Sequence, residues 1–447
     1  MGRVSGIRIQ GQARAIRLLL LFGMALLILC APVRALDAGA AACDITPDTA
    51  RYKVPMAGYG AREGKPSTGM RDPLRAKVLY FRDGERSMAL ITSDLRSVTP
   101  AFKQQAIAKA AVPGLTEENV LVCASHNHSG PSIYSEKFWQ LQFGVYDPAV
   151  VEAMSDAVAG ALQAAAKSAA PVRVGFNEGM AEGFSKNRRW EYDTAAREVA
   201  GETPAVNTRV WVMRIDGLDG MPKATFVHFA THPTILGADN FELSAEWPGV
   251  LQRTLESAYP GAIAMYANGA EGDQAPDGAT GADAFARADD FGTRLGAIAV
   301  ELLKAAKTGP DLSIAYAYTP APLGEPVFSE GSRRGPYAFM EPMAMEALPR
   351  FAVLQQFRIG PVVLAGLPGE AICEVGLATE EGVRKAGAST AIAIGLANDY
   401  IGYILNEKEY RHGGYEVDSR SYYGPGLGKL IAEKTAKSAA GMFATGE

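Results

Sequence analysis

The sequence NVLVCASHNHSGP, residues 119–131, places two of the chain's five histidines directly after an apolar run. The run 119–124 is short and bounded by polar turn residues, and it predicts a buried strand. His126 and His128 follow it in an i, i+2 pair, and in an extended or loop backbone such side chains project to the same side. Two converging imidazoles favour a metal site or an acid/base pair. The alternative is that both are polar turn residues with satisfied hydrogen bonds.

Apolar runs that predict strands alternate with helical patterns along the chain, which predicts an α/β fold with mixed sheets flanked by helices. The predicted strands are Ala76–Phe81, Met88–Thr92, Asn119–Ala124, Arg173–Asn177, Arg209–Ile215, Ala224–Ala230, Ala262–Ala267, Leu312–Tyr318, Leu354–Ile359, Val362–Leu367 and Thr390–Leu396. The predicted helices are Phe102–Ala111, Pro148–Ala169, Ala284–Lys307 and Ala371–Lys385.

Polar motifs come directly after several of these strands. One of these motifs contains His232 and another contains Glu370. Ligands of open α/β sheets bind outside the carboxyl ends of the strands. If the strands are parallel neighbours, their ends form one cleft that contains His126, His128, His232 and Glu370. Turn chemistry explains glycine, proline, asparagine and aspartate at strand ends, but it explains histidine poorly. We expect His228 inside its strand to be a satisfied core residue, and His412 in a polar loop to be solvated.

The first 35 of the 447 residues combine a basic start, an apolar stretch over 18–31, and small residues at Val33 and Ala35. The apolar stretch is too short to span a bilayer comfortably. The pattern predicts a secretory signal peptide cleaved near Ala35, and therefore a secreted or periplasmic protein. Residues 36–447 are then expected to form a single large domain. The net charge of −5 argues against a nucleic-acid partner.

Three cysteines remain after the predicted cleavage: Cys43, Cys123 and Cys373. An odd number leaves at least one thiol unpaired within the chain. Cys123 lies in an apolar strand and is expected to be buried as a small hydrophobic residue. Whether Cys43 pairs with Cys373 stays open at this point.

The heptapeptide Ser125–Pro131 resembles the Ser-His-Thr-His-Ser-Gly-Pro signature of the neutral, non-lysosomal ceramidases. Later motifs resemble that family in the same order: Lys186–Arg189, Phe229–Thr234, Gly272–Asp273, Leu367–Glu370, Tyr400–Tyr403, Glu409–Tyr410, Tyr415–Glu416 and Ser421–Pro425. The resemblance runs from about Cys43 to Lys429. It implies the N-terminal catalytic domain of that family, with the active site at the carboxyl ends of strands and without the usual C-terminal β-sandwich domain.

The resemblance also implies the chemistry of the site. It implies a zinc ion bound by His126, His232, Glu370 and Tyr403. His128 is implied as the general base and acid, and Arg188 and Tyr415 as donors to the developing oxyanion. The implied reaction is hydrolysis of the N-acyl amide of ceramide, or of a similar N-acylated amphiphilic lipid, by zinc-activated water. Such a substrate implies transient contact with a membrane surface.

One departure from the family concerns the loop Gly272–Asp277, where typical ceramidases have Gly-Asp-Val-Ser-Pro-Asn. Ala275 stands where the family carries an active-site serine. A serine nucleophile at that position is therefore excluded, and a hydrogen bond to the substrate is lost. Two alternatives follow: a hydrolase of the same fold that acts on a different amide or ester, and a non-catalytic binding protein that retains zinc for structure.

Overall fold

The computed structural model describes residues 36–310, 312–335 and 338–443. The predicted signal peptide lies outside these described residues. Within the described ranges, none of the helices is both long enough and apolar enough to cross a membrane. Cys43, Cys123 and Cys373 all carry free thiols, so Cys43 and Cys373 are not paired. Cys123 is buried, as predicted.

The chain forms strands and helices in alternation. The strands are β1 (Asp37–Asp44), β2 (Gly69–Met70), β3 (Arg75–Asp83), β4 (Arg86–Ser93), β5 (Val120–Ala124), β6 (Ala170–Met180), β7 (Ser185–Asn187), β8 (Arg209–Gly217), β9 (Pro222–Phe229), β10 (Glu242–Leu243), β11 (Ile263–Asn268), β12 (Gln274–Pro276), β13 (Ile314–Pro322), β14 (Phe351–Ile359), β15 (Val362–Gly366), β16 (Glu370–Ala371), β17 (Thr390–Ile394) and β18 (Tyr403–Ile404). The α-helices are α1 (Pro100–Ala110), α2 (Lys137–Phe143), α3 (Pro148–Lys167), α4 (Thr194–Val199), α5 (Glu246–Ala258), α6 (Ala284–Ala305), α7 (Glu330–Arg334), α8 (Glu341–Ala347), α9 (Cys373–Lys385), α10 (Glu407–Arg411), α11 (Tyr415–Arg420) and α12 (Leu427–Ala440). Short 3₁₀ turns occupy Gly60–Arg62, Arg188–Glu191 and Ala338–Met340.

Eight strands form the larger sheet in the order β11-β9-β8-β6-β1-β3-β4-β5. Its two outermost pairs, β9 with β11 and β4 with β5, are parallel, and the pairs between them are antiparallel. The two edge strands nevertheless contact each other. The Asn268 amide at the end of β11 donates to the Ser125 carbonyl just after β5, at 3.0 Å. The sheet therefore curls until its edges meet, and the carboxyl ends of β5, β9 and β11 lie together.

The second sheet has the order β13-β14-β15-β17, and only β15 and β17 are parallel. Its strands share one hydrophobic core with the larger sheet, in which Leu121 and Cys123 pack with Leu364 and Ile392. The two sheets are also joined where the chain leaves β17, because the Ala124 amide donates to the Leu396 carbonyl. This packing brings the end of β15, and the Glu370 segment after it, to the end of β5.

Helices cover the outer faces of both sheets: α3 lies on β1 and β3, the pair α5 and α6 on β8 and β11, and α9 with α12 on the second sheet. The start of α3 illustrates why they form. The Asp147 side chain accepts from the Ala149 amide and Pro148 occupies the first turn, which satisfies the helix start. The apolar side chains of α3 then recur at three- and four-residue intervals on one buried face. They include Val150, Val151, Met154, Val158 and Leu162.

All eleven predicted strands and all four predicted helices are present, which confirms the mixed α/β class. Strand β1 was not predicted, because its alanine-rich sequence lacks the alternation and β-branched residues of a strand. The site strands are parallel neighbours only in pairs, β4 with β5, β9 with β11 and β15 with β17. The strands that lead to the histidines belong to the larger sheet and the strand that leads to Glu370 belongs to the second. Their ends meet because the first sheet curls and the two sheets pack face to face.

Candidate metal centre and active site

The loop after β5 is held by hydrogen bonds that continue the β4–β5 ladder beyond the strand. The Ser125 amide donates to the Ser93 carbonyl at 2.9 Å, and the Asn127 amide donates to the Leu95 carbonyl at 3.2 Å. Between them, His126 adopts a φ of +68°. A left-handed backbone at a non-glycine residue costs of the order of 1–3 kcal/mol and is typical of functional sites. The loop is therefore fixed on both sides of a strained histidine.

Both deep histidines are oriented by backbone carbonyls. His126 Nδ1 lies 2.8 Å from the Arg96 carbonyl oxygen, and His232 Nδ1 lies 2.7 Å from the Glu271 carbonyl oxygen. A carbonyl can only accept, so each Nδ1 carries the proton and each Nε2 presents a lone pair. Histidine metal ligands are commonly oriented by such a partner on the other ring nitrogen.

Glu370 lies in the two-residue strand β16, whose ladder partner in β18 is Tyr403. The Glu370 amide donates to the Gly402 carbonyl at 3.0 Å. A Cβ at Gly369 would lie 2.4 Å from that same carbonyl oxygen, so only glycine permits this approach. The Tyr400 hydroxyl donates to Glu370 Oε1 at 2.6 Å. The carboxylate is thus fixed by both its backbone and one of its oxygens.

His126, His232 and Glu370, here called the inner cluster, meet at one oxygen atom. Glu370 Oε2 lies 3.2 Å from His126 Nε2 and 3.3 Å from His232 Nε2. Three acceptor atoms that face one another repel unless a cation lies between them. Tetrahedral zinc with ligands at about 2.0–2.1 Å separates its ligand atoms by about 3.3 Å. The donor set therefore fits a zinc ion, and the inner cluster could hold it. His128 and Glu271 also lie close enough to belong to such His/Glu groups.

Burial controls the charge of the inner cluster. It lowers the pKa of His126, and it lowers that of His232 to about 3, so both imidazoles are neutral at pH 7. Burial alone would raise the pKa of Glu370, but its contacts with His126, His232 and the Arg96 guanidinium outweigh burial and hold the pKa well below its usual value. Neutral imidazoles and an ionised carboxylate are the protonation states that bind a metal.

His128 lies on the solvent side of the inner cluster. Its Nε2 is 3.1 Å from His126 Nε2, and it is 9% exposed whereas His126 is fully buried. Its Nδ1 has no hydrogen-bond partner among the described residues, and its ring contacts the edge of Tyr59. Desolvation by burial, followed by the neighbouring His126, lowers the pKa of His128 well below its usual value, which leaves it neutral at pH 7. A Cβ at Gly58 would lie 2.7 Å from the imidazole, so glycine is needed there.

Arg188 lies beside the inner cluster and contacts Tyr403. Its Nη2 donates to the Tyr403 hydroxyl at 2.9 Å and to the Gly272 carbonyl at 2.8 Å, while its Nε donates to Glu416 at 2.8 Å. Nη1 makes no hydrogen bond within the described residues. The Tyr415 ring lies 6.0 Å from the guanidinium and is 48% exposed. The Arg188 guanidinium therefore contacts the Tyr403 hydroxyl and lies close to the ring of the half-exposed Tyr415.

The predicted residues thus differ in how they assemble. His126, His232 and Glu370 come together directly, with His128 against them. Tyr403 is the ladder neighbour of Glu370, but its hydroxyl accepts a hydrogen bond from Arg188. The roles of all seven predicted site residues stay predictions.

Sequence reasoning missed Arg96 and Tyr400, which together hold the second oxygen of Glu370. Arg96 Nη2 donates to Glu370 Oε1 at 3.0 Å and to the Tyr400 hydroxyl at 2.8 Å. The guanidinium also stacks over the Phe143 and Tyr400 rings. The position of Arg96 in the sequence could have indicated a role at the site, because Arg96 follows the end of β4 just as the histidine motif follows the end of β5.

Ala275 lies in β12, opposite Lys186 of β7. Strand β7 leads directly into the turn that carries Arg188. The methyl group is partly exposed, so no hydroxyl is available at this point beside the site.

The two remaining histidines lie apart from the centre. His228 is fully buried and its Nε2 lies 2.9 Å from the Ala393 carbonyl oxygen, as expected of a core residue. His412 was expected to be solvated without a partner, and this was wrong. Its Nδ1 lies 3.1 Å from Asp193 and its Nε2 lies 3.4 Å from Glu202, because the tertiary fold brings the 193–202 segment against its loop.

A buried His/Glu centre at the strand ends of a mixed α/β fold could hold a metal ion. The family model described as "Neutral/alkaline non-lysosomal ceramidase, N-terminal" matches residues 37–290, more than half of the chain. The protein therefore belongs to the neutral/alkaline non-lysosomal ceramidase family, whose members act on amide bonds.

Curated relatives carry the same family name at low identity. The neutral ceramidase of Mycobacterium tuberculosis is 25% identical over 474 residues, covering 86% of this chain and 74% of the relative. The neutral ceramidase of Pseudomonas aeruginosa is 24% identical over 488 residues, covering 91% and 72%.

Two solved structures share the fold. The crystal structure of the neutral ceramidase from Pseudomonas aeruginosa superimposes with a TM-score of 0.78 at 21% identity, covering 91% of this chain and 74% of that one. A ceramidase complexed with C2 also superimposes with a TM-score of 0.78 at 21% identity, covering 92% and 75%. These structures agree with the predicted ceramidase-like fold.

Proposed function

We propose that this protein is a zinc-dependent amidohydrolase that cleaves the N-acyl amide bond of ceramide or of a similar N-acylated lipid. The observation that carries the proposal is that two lone-pair Nε2 atoms, of His126 and His232, each lie within 3.3 Å of the same Glu370 carboxylate oxygen, with His128 at their open side. The family and its named relatives supply the substrate class.

The metal's contribution can be stated in general terms. Zinc bound by the inner cluster would lower the pKa of a bound water toward ~7, which supplies a nucleophile near neutral pH. The rest of the chemistry belongs to the side chains around it.

His128 is the proton carrier in this proposal. Because it is neutral at pH 7, its unprotonated ring nitrogen accepts a proton from the attacking water, and His128 then gives a proton to the leaving amine nitrogen. The water oxygen forms a bond to the carbonyl carbon, the amide carbon–nitrogen bond breaks, and the products are a fatty acid and a free amine. The more exposed position of His128, compared with His126, suits a group that must reach the substrate.

Arg188 and Tyr415 act on the carbonyl oxygen. Arg188 Nη1 and the Tyr415 hydroxyl donate hydrogen bonds as negative charge develops on that oxygen. Removing one donor of this kind typically costs about 3–4 kcal/mol of barrier. We propose Tyr403 as the fourth ligand of the metal, with the Arg188 contact orienting its hydroxyl.

Ala275 favours a second candidate, a hydrolase of the same fold with a different amide or ester substrate. The missing hydroxyl removes one hydrogen bond beside Arg188, and such a bond is worth about 0.5–1.5 kcal/mol. We also propose that the protein acts outside the cytoplasm, secreted or periplasmic, because residues 1–35 have the pattern of a signal peptide.

The test is turnover of a fluorescent short-chain ceramide by the protein before and after removal of its metal with a chelator. We expect fatty-acid release that stops on chelation and returns with zinc. A short N-acyl amide and an ester assayed in parallel identify the second candidate. Zinc bound at one equivalent with no turnover of any of these substrates contradicts the hydrolase assignment and favours a binding protein.

A further inference from the structure

Glu271 is a buried acid that no step above uses. It lies in the loop between β11 and β12 and is 0% exposed. Neither of its carboxyl oxygens has a hydrogen-bond partner among the described residues. Asp273, two residues later in the same loop, accepts from the Cys373 amide at 2.8 Å and from the Asn187 side chain at 2.8 Å. The lack of partners is therefore specific to Glu271 and is not a general property of the loop.

The described residues offer the Glu271 side chain neither an ion-pair partner for its ionised form nor a hydrogen-bond partner for its protonated form. An ionised carboxylate that is buried without a partner is strongly disfavoured, and a buried carboxylic acid leaves its O–H donor unused. The packing nevertheless makes room for this group. A Cβ at Gly395 would lie 2.6 Å from Glu271 Oε2, so bare backbone is required beside the carboxylate.

The Glu271 carboxylate is directed toward the inner cluster. One oxygen of Glu271, one oxygen of Glu370 and one ring nitrogen of His126 all lie within 4.8 Å of one another. Two carboxylates buried at this separation repel each other, and a divalent cation between them removes the repulsion while supplying the missing partner.

We propose that Glu271 is a further ligand of the metal, so that the centre holds two imidazoles and two carboxylates. The inference rests on the proposed function, because it concerns the same ion. A second carboxylate adds a hard oxygen donor, which broadens the centre toward Mn²⁺ compared with a histidine-rich zinc site. Glu271 has no hydrogen-bond partner among the described residues, so it can join the Tyr403 hydroxyl, which accepts from Arg188, as a ligand of the same ion.

The experiment measures metal binding without turnover. Metal-free wild type and Glu271→Gln are titrated with Zn²⁺ against a chromophoric chelator, and the electronic spectrum of the Co²⁺-substituted form is recorded for each. We expect Glu271→Gln to bind zinc more than about 10²-fold more weakly, a larger loss than the 10- to 100-fold typical of an outer partner, and to change the cobalt spectrum. Glu246→Gln is the matched control. Glu246 is also buried with one unpartnered oxygen, but it lies outside the His/Glu groups that could bind a metal.

A second variant guards against misfolding. Glu271→Leu removes the unpartnered acid, so the metal-free form should unfold at the wild-type temperature or above it, while the increase on adding zinc should shrink. Zinc affinity within about twofold of wild type in Glu271→Gln, with an unchanged cobalt spectrum, overturns the role of Glu271 and leaves the zinc centre intact. A wild-type protein that binds no zinc overturns the proposed function and this inference together.

Discussion

The inner cluster and the outer donors, here His128, Arg188 and Tyr415, are positioned by different forces. Each inner side chain follows a strand end and is fixed by backbone contacts, such as the carbonyl oxygens of Arg96 and Glu271. The outer donors are more exposed. Arg188 is held by an ion pair with Glu416, at the base of the helix that begins at Tyr415.

A network of ion pairs supports the outer region and has no counterpart among the contacts of the two inner histidines. Arg189 pairs with Glu416 at 2.6 Å and with Glu409 at 3.1 Å, and Arg197 pairs with Glu409 at 2.7 Å. These contacts join the 188–197 segment to the 409–416 segment. The difference teaches that backbone hydrogen bonds orient the two histidines of the inner cluster, whereas side-chain charge pairs between distant segments hold Arg188.

The largest effect should come from the inner cluster. His126→Ala removes one of the two imidazole ligands, so zinc affinity should fall by at least about 10²-fold and amide hydrolysis should fall to the metal-free rate. Chelator competition and metal analysis measure it. His228→Ala is the matched control, because His228 is equally buried but bonded to Ala393 away from the centre. Normal zinc binding by His126→Ala would remove the inner cluster as the metal site.

His128→Gln should retain zinc while kcat falls by about 10²- to 10⁴-fold, the usual contribution of a general acid/base. Parallel measurements of zinc content and kcat distinguish proton transfer from ligation. If zinc affinity falls together with kcat, His128 belongs with the inner cluster, and the division between the two regions fails. Full activity would show that another group carries the proton.

Arg188→Gln should retain zinc and lose about 10²- to 10³-fold in kcat, since an oxyanion donor is removed. Glu416 keeps its pair with Arg189, so the unfolding temperature should change little. Tyr415→Phe should show a smaller loss, because water can replace a half-exposed hydroxyl. An unchanged kcat in both variants would mean that neither residue contacts the carbonyl oxygen.

Acid should destabilise the folded, metal-free protein, because its buried histidines cannot take up protons. Desolvation lowers the pKa of both His232 and His228 to about 3, against an ordinary value near 6.5. Between pH 6.5 and 3 the unfolded chain binds protons that the folded chain excludes. The free energy of unfolding should therefore decrease as pH falls through this window, by up to ~1.4 kcal/mol per pH unit for each histidine.

Denaturant unfolding of the metal-free protein at pH 7, 5.5 and 4.5 measures this slope, and His228→Gln should make it shallower. A free energy of unfolding that does not change between pH 6.5 and 4.5 would show that burial does not keep these histidines neutral.

Much of the fold could be predicted because the major strands are short apolar runs bounded by turn residues, and the long helices are periodic. The segments that escaped prediction lacked such signals. Strand β1 is rich in alanine, and β16 and β18 contain two residues each, so their pairing depends on neighbours that are distant in sequence. Arg96 and Glu271 were not predicted as site residues for the same reason. The contact of Arg96 with Glu370, and the burial of Glu271 without a described partner, arise only when the chain folds.

The sequence by itself determined the strands, the fold class, the His-x-His motif and the family resemblance that named seven site residues. These features are local patterns or motifs in a fixed order, so apolar periodicity and turn chemistry allow them to be recognised from the sequence alone. Only the tertiary structure decided that His126, His232 and Glu370 meet within 3.3 Å. Convergence requires an eight-stranded sheet to curl and a second sheet to pack against it, and both depend on contacts between residues more than a hundred positions apart.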